Sequence, residues 1–326
     1  MLLTAQEVKE VLSIKDAIAA VEEAFREKGL GLVKMPPKLY LFFKEYEGDL
    51  RVMPAYMKHS GIAGVKVVNV HPRNPREHNL PTVMAVIELV DPKTGAPLAI
   101  MDGTLITAFR TGAAGGVAAK YLARKDSRVV GVIGAGVQGR YQLLALAEVL
   151  PCIEQVRVYD VRGEAARAYA DEMGRKLGLD VKACASPEEA VRGVDVLVTA
   201  TPSTKPIVED SWVEPGLHIN AMGADAPGKE ELDPAILKRA KVVVDDVKQA
   251  SHSGEINVPI SKGLFSVEEI YAELGEIVAG KKPGRVSNDE ITVFDSTGLA
   301  IQDVAVARLV YEEAKKKGVG TRVKLF

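Results

Sequence analysis

The run Arg128-Val129-Val130-Gly131-Val132-Ile133-Gly134-Ala135-Gly136-Val137-Gln138-Gly139 is the stretch on which the fold of this chain turns. Its first six residues read as a buried β-strand, and Val137 to Leu150 carries the pattern of a helix. Between them lies the spacing G-x-G-x-x-G, with a physical use for each glycine. Gly134 permits a tight turn, Gly136 lets a pyrophosphate approach the backbone, and Gly139 lets the helix pack closely on the strand. Glycine triplets also arise by chance, so the context decides. The next apolar run, Gln155 to Asp160, ends on an acid 21 residues after Gly139, close to the spacing of about 20 expected of a ribose-binding carboxylate. Phosphates held at this loop, around Val137 and Gln138, would meet the unpaired N–H groups and the positive end of the helix. A carboxylate at Asp160 accepts from both ribose hydroxyls and repels a 2′-phosphate, so the expected cofactor is NAD rather than NADP. Arg162, two residues on, is the feature that would favour the phosphate.

Outward from this motif the chain changes character near residue 125. After it, short β-branched runs at Arg128 to Ile133, Gln155 to Asp160, Val194 to Ala200, His218 to Met222, Lys241 to Asp245 and Ile291 to Asp295 alternate with helical segments that include Glu164 to Leu177 and Ser266 to Gly280. Such alternation predicts an α/β, Rossmann-type doubly wound parallel sheet over residues 126–298. Before residue 125 a helical start, Ile14 to Lys28, precedes strand-like runs at Lys38 to Phe43, Ala63 to Val70 and Thr82 to Val90. The turn Asp91-Pro92-Lys93-Thr94-Gly95 joins the last of these to Pro97 to Met101 as a hairpin. Residues 1–125 therefore read as an antiparallel α+β domain for substrate binding and dimerisation, and a last helix from Leu299 folds back to join it.

The 326 residues carry 42 Lys and Arg against 44 Asp and Glu, a balance that provides no global field for nucleic acid or an anionic membrane. No run approaches the roughly 18 apolar residues of a membrane span. The N-terminus reaches acidic residues before any leader-like apolar stretch, so the expectation is a cytoplasmic protein with its mature start at Met1. Cys152 and Cys184 form no CxxC pair, and His59, His71, His78, His218 and His252 are scattered without ligand spacing; no metal site is expected.

Several charged residues stand in apolar or small-residue surroundings, where burial is costly without a partner or ligand. Lys66 lies within Ala63 to Val70, Arg110 precedes Thr111-Gly112-Ala113-Ala114-Gly115-Gly116, Arg51 begins a strand-like stretch, and Asp225 sits in a glycine- and proline-containing loop after the strand ending at Met222. The motifs Lys66 to Pro72, Leu80 to Met84, Arg110 to Ala114, Gly223 to Leu232, Gly254-Glu255 and Phe294 to Asp303, together with the glycine loop, are those through which the chain resembles the ornithine cyclodeaminase/mu-crystallin family, and within it the archaeal alanine dehydrogenases.

The resemblance implies that Arg51, Lys66 and Arg110 hold a substrate carboxylate, with Arg110 suited to a bidentate grip. It makes Asp225 the acid near the reacting carbon and Lys66 its catalytic companion. It further places Thr111, itself a possible N-cap for the helix that follows, and the turn Ser296-Thr297-Gly298 at the cofactor. His71 reads as structural. The implied reaction begins with hydride transfer from Cα of a small amino acid to NAD⁺. Water attack on the resulting imine gives a 2-oxo acid and ammonia, as in an alanine dehydrogenase. Attack by the substrate's own terminal amine gives proline from ornithine, and ketimine reduction is a third variant of the same pocket. No acid for a distal ammonium is identified, although Glu255 could reach the pocket once folded. A non-catalytic binding protein is the reading from another class, and retention of Lys66, Arg110 and Asp225 together argues against it. The resemblance also implies a homodimer.

Overall fold

The computed structural model describes residues 1–324. The chain forms two compact units, one of Met1–Arg110 with the segment from Leu299 onward, the other Thr111–Gly298.

The first unit begins with β1 (Leu2–Leu3), α1 (Ala5–Val11) and α2 (Ile14–Gly29). Thr4 and Ser13 open the two helices by accepting the amides of Glu7 and Asp16, the usual service of a hydroxyl at an N-cap. There follow β2 (Val33–Lys34), β3 (Leu39–Phe43), β4 (Gly48–Met57), β5 (Ile62–Val70), a one-turn α3 (Asn74–Glu77), β6 (Val83–Val90) and β7 (Pro97–Asp102). Among the described residues these seven strands form one sheet in the order β1-β7-β6-β5-β4-β2, with β3 also on β4. It is antiparallel except that β1 runs parallel to β7.

Strand side chains alternate between faces. On β4 this buries Arg51, Met53, Ala55 and Met57, and on β5 Ile62, Gly64, Lys66 and Val68. The register Arg51↔Val68 and Met53↔Lys66 puts both cations on the same face. The C-terminal helix, Ala300–Lys317, packs on β4, β5 and β6 and against α2. The sequence thus places two charges in a layer otherwise made of Met, Ala, Ile, Gly and Val.

In the second unit β8 (Val129–Ile133), α5 (Val137–Val149), β9 (Gln155–Tyr159), α6 (Gly163–Leu177), β10 (Asp180–Ala183), α7 (Pro187–Val191) and β11 (Val196–Thr199) lead to β12 (Thr204–Val208), β13 (His218–Ala221), β14 (Glu230–Leu232) and α8 (Pro234–Arg239). The unit closes with β15 (Lys241–Val244), α9 (Val247–Ser253), α10 (Asn257–Ser261), β16 (Ala272–Glu273), α11 (Leu274–Val278) and β17 (Thr292–Asp295). Eight of these strands form a parallel sheet, β10-β9-β8-β11-β13-β17-β15-β16, and β12 pairs separately with β14. The strand order reverses between β8 and β11, the place where open α/β sheets bind ligands. Every residue of β11, β13 and β17 is buried, as expected of central strands in a parallel sheet covered on both faces.

Three expectations need correction. The boundary near residue 125 lies instead at Arg110, inside the helix α4 (Thr104–Leu122). From Thr111 the small-residue face of α4 belongs to the second unit: a side chain at Gly112 would strike the backbone of Tyr141, and the Gly115 carbonyl accepts from Asn220 Nδ2 at 3.1 Å. Thr111 accordingly lies within a helix and does not cap one. The segment Ser266 to Gly280 is no continuous helix either. Ser266 caps only a single 3₁₀ turn, Val267–Glu269. Sheet pairing then wins, for the Tyr271 amide reaches Val242 O at 2.8 Å and Ala272–Glu273 adds an edge strand to β15 before α11 begins.

Candidate functional site

In the second unit the glycine loop leaves β8 with Gly134 at φ +105°, a conformation that favours glycine. A Cβ at Gly134 would meet Ala200 O, and one at Gly139 would meet Gly134 O, whereas one at Gly136 would meet nothing within 4 Å. The turn and the helix contact are therefore tight while the space in front of Gly136 is open. Gly136 is the N-cap of α5 and has no side-chain cap, so the first-turn amides around Val137 and Gln138 present an anion-binding helix end. Gln138 also carries a buried Oε1 that accepts no hydrogen bond among the described residues.

Asp160 follows β9 and turns its carboxylate back onto this loop. Oδ2 accepts the Ala135 amide at 3.0 Å and Oδ1 the Arg162 amide at 2.9 Å. The Arg162 side chain stands 75% exposed with Nε 3.5 Å from Asp160, whose side chain is only 11% exposed. An acid fixed beside the glycine loop and an apolar Val161 on the open surface suit an adenosine ribose and its base. The glycine loop, the open helix end and this acid fit a dinucleotide.

The other strand ends are tied down by buried carboxylates that sequence reasoning passed over. Glu231 accepts from Thr201 N at 2.7 Å, Thr201 Oγ1 at 2.8 Å and Gly223 N at 2.9 Å, joining the loops after β11 and β13. Asp245 accepts from Thr297 N at 2.7 Å, Gly298 N at 2.8 Å and Thr297 Oγ1 at 3.0 Å. The Ser296 amide goes to Ala221 O at 3.1 Å. All three N–H groups of the Ser296-Thr297-Gly298 turn are thus bonded within the protein. Thr111 directs its carbonyl to Gln142 Nε2 at 2.8 Å. Glu255 is wholly buried; its Oε1 accepts the amides of Glu231 and Leu232 at 2.8 and 2.7 Å, while its Oε2 accepts no hydrogen bond among the described residues. Asp225, on the loop after β13, pairs with Lys229 at 2.5 Å and stays 38% exposed. Lys229 is a partner that the sequence did not announce.

In the first unit the predicted cations separate into two groups. Arg51 lies on Asp49 through Nε at 2.8 Å and Nη2 at 3.0 Å, with its guanidinium 5.4 Å from the centre of the Tyr40 ring. Lys66 and Arg110 converge on one atom. Oδ1 of Asp303 accepts Lys66 Nζ at 2.8 Å and Arg110 Nε at 3.0 Å, while Gln302 Oε1 accepts Arg110 Nη1 at 3.0 Å. Burial first, then repulsion from Arg110, lowers the Lys66 ammonium to about 7, and Asp303 opposes that shift. Asp303 and Gln302 went unsingled in the sequence. The signal was available, since Asp303 is an acid within the apolar run Ala300 to Ala307 just as Lys66 is a base within Ala63 to Val70. His71 stacks on Phe43 with ring centres 5.8 Å apart, a structural position.

Among the described residues no group of three or more His, Cys, Asp and Glu could hold a metal ion, and no helix is long and apolar enough to cross a membrane.

The sequence profile of the ornithine cyclodeaminase/mu-crystallin family matches residues 1–318. The alanine dehydrogenase of Archaeoglobus fulgidus is 55% identical over 329 residues, covering 100% of this chain and 98% of that protein. A solved archaeal alanine dehydrogenase dimer with bound NAD superposes at a TM-score of 0.95 with 56% identity, covering 100% of this chain and 99% of the other. The Δ1-pyrroline-2-carboxylate reductase of Thermococcus litoralis, in complex with NADH and L-proline, gives 0.96 with 45% identity and coverage of 99% and 100%.

Proposed function

The chain belongs to the ornithine cyclodeaminase/mu-crystallin family, and from that premise we propose that it is an NAD-dependent L-alanine dehydrogenase, converting L-alanine, NAD⁺ and water to pyruvate, ammonium, NADH and a proton, and running in reverse as a reductive amination. The observation that carries the substrate class is the buried Lys66–Asp303–Arg110 group. Two cations share one carboxylate, which leaves the group one positive charge for the carboxylate of a small amino acid. Whole-chain identity of 55% to an alanine dehydrogenase favours alanine within that class.

In this reading NAD⁺ supplies the hydride acceptor. Gly134, Gly136, Val137, Gln138 and Gly139 would hold its phosphates and Asp160 its ribose, with Arg162 beside them, and Thr111 and the Ser296-Thr297-Gly298 turn would supply further contacts. Arg110, Lys66 and Arg51 bind the substrate carboxylate and so orient Cα–H. Asp225 takes a proton from the substrate ammonium and passes it to solvent, leaving the amine whose lone pair assists hydride departure; it then draws a proton from the water that attacks the imine carbon and hands it to the amine nitrogen, which leaves as ammonia when the hydroxyl gives up its proton. Lys66, with a proton held near neutrality, stabilises the carboxylate through both steps. The reading extends to a cytoplasmic homodimer: the solved archaeal relative is a dimer, β3 exposes Leu39, Leu41 and Phe42, and Cys152 and Cys184 carry free thiols.

The likeness to the Thermococcus litoralis reductase favours one second substrate, a cyclic imino acid reduced by the same hydride in reverse. The test is an assay with L-alanine and NAD⁺. Pyruvate, ammonia and NADH should appear in equal amounts. Conversion of L-ornithine to proline without accumulating NADH, or imine reduction, at a higher kcat/KM than alanine oxidation would replace the assignment.

A further inference from the structure

Asp303 is wholly buried on the C-terminal helix, and a carboxylate there costs stability unless it is paired. Its Oδ1 is crowded, taking both Lys66 Nζ and Arg110 Nε, while its Oδ2, equally buried, accepts no hydrogen bond among the described residues. A carboxylate placed only to neutralise a guanidinium would use both oxygens in a bidentate fork. Here one oxygen bridges two different cations and sets their spacing. Gln302, its neighbour on the helix, holds the outer nitrogen of the same guanidinium and takes the Leu299 amide at 3.2 Å.

We infer that Asp303 is a positioning residue for the substrate-carboxylate site, holding the Lys66 side chain beside the Arg110 guanidinium and favouring its charged form, so that a substrate acid meets two cations rather than one. The inference rests on the proposed carboxylate-binding role of Lys66 and Arg110. The groups that act on Lys66 are few. Burial, Arg110 and Lys38 all push its proton off, Thr107 Oγ1 lies 3.4 Å away as a neutral acceptor, and Asp303 is the charge that opposes them. Loss of a partner charge at this range moves an ionisation by about 1–3 pH units. Without Asp303 the Lys66 amine would therefore be neutral at pH 7, and the carboxylate would be left to Arg110 and Arg51.

The test reads Lys66 directly. Protein labelled with [ε-¹³C]lysine is titrated by NMR, with the Lys66 resonance assigned by its loss in Lys66→Met. The wild-type midpoint should lie near 7, and Asp303→Asn should lower it by about one unit or more. Asp303→Ser repeats the measurement with a smaller neutral side chain, and Gln302→Leu, which removes the acceptor of Arg110 Nη1 and of the Leu299 amide but leaves Asp303 on Lys66, should leave the midpoint in place. In the Asp303 variants KM for alanine should rise more than kcat falls, and the pH at which KM begins to climb should drop by the same interval as the Lys66 midpoint. A Lys66 midpoint unmoved in whichever Asp303 variant folds would overturn the inference, as would a KM profile that does not follow the midpoint. If wild-type protein oxidises no alanine, the proposed function fails, and the NMR titration still decides what Asp303 does.

Discussion

Two acids carry the most specific expectations at the scale of single residues. Asp160 is held 11% exposed against the glycine loop, with Arg162 turned largely to solvent. NAD(H) should therefore be used with higher kcat/KM than NADP(H), and Asp160→Ala should narrow the ratio by removing the charge that repels a 2′-phosphate. Equal kcat/KM for the two cofactors in wild-type protein would contradict this. Asp225 is reachable, paired with Lys229 and placed on a loop beyond a sheet strand. Asp225→Asn keeps the shape and loses the basicity, so kcat should fall roughly 10²–10⁴-fold while NADH titration by fluorescence stays near wild type. Lost NADH binding would mark the residue as a loop brace.

At the scale of elements, glycines in two helices act for opposite reasons. Gly136 caps α5 with open space in front of it. Gly136→Ala should fold with an unchanged Tm and bind NADH at least roughly tenfold more weakly, because the added methyl occupies the approach of the pyrophosphate. Gly112 lies in mid-α4 against the Tyr141 backbone. Replacing it by Ala gains about 1 kcal/mol of helix propensity but forces α5 to move, an overpacking cost of about 1–3 kcal/mol. The clash is with backbone, which cannot swing aside as a side chain end can, so Gly112→Ala should lower Tm. An unchanged or higher Tm would show that α4 is free to shift.

For the whole molecule, buried acids govern how stability follows pH. Burial, reinforced by Asp245, raises Asp295 to about 8. Burial also raises Glu231, and burial with repulsion from Glu231 raises Glu255. A carboxyl whose folded value exceeds its ordinary value of 3.8 binds a proton that the unfolded chain releases, so its contribution is complete below 3.8 and is lost as pH rises through about 8. Lys66 acts oppositely, adding stability as pH climbs from about 7 towards 10.5. Between pH 5 and 7 Asp295 loses this contribution, while His218, lowered to about 3 by burial, adds stability as pH climbs towards 6.5. Asp295→Asn, neutral at every pH, should lose less, its stability relative to wild type improving by up to about 1.4 kcal/mol per pH unit. Parallel Tm curves for the two proteins would remove Asp295 from this account.

What the sequence determined by itself was local: the strand-glycine-helix unit with its acid after the second strand, the two-residue alternation of the first unit, and the unusual charges at Lys66 and Arg110. Each is legible because turn sterics, helix dipoles and face alternation act within a few residues. The tertiary structure alone decided the rest. Asp303 lies 237 positions from Lys66 and 193 from Arg110, a meeting set by how the C-terminal helix packs on the sheet. β17 inserts between β13 and β15 although it follows both in the chain. A sheet edge claims Ala272–Glu273 from a helical pattern, and packing at Gly112 and Gly115 moves the unit boundary into the middle of α4. Periodicity states which face of an element is buried. Which distant element covers that face depends on shape, register and charge pairing, and those exist only once the chain has folded.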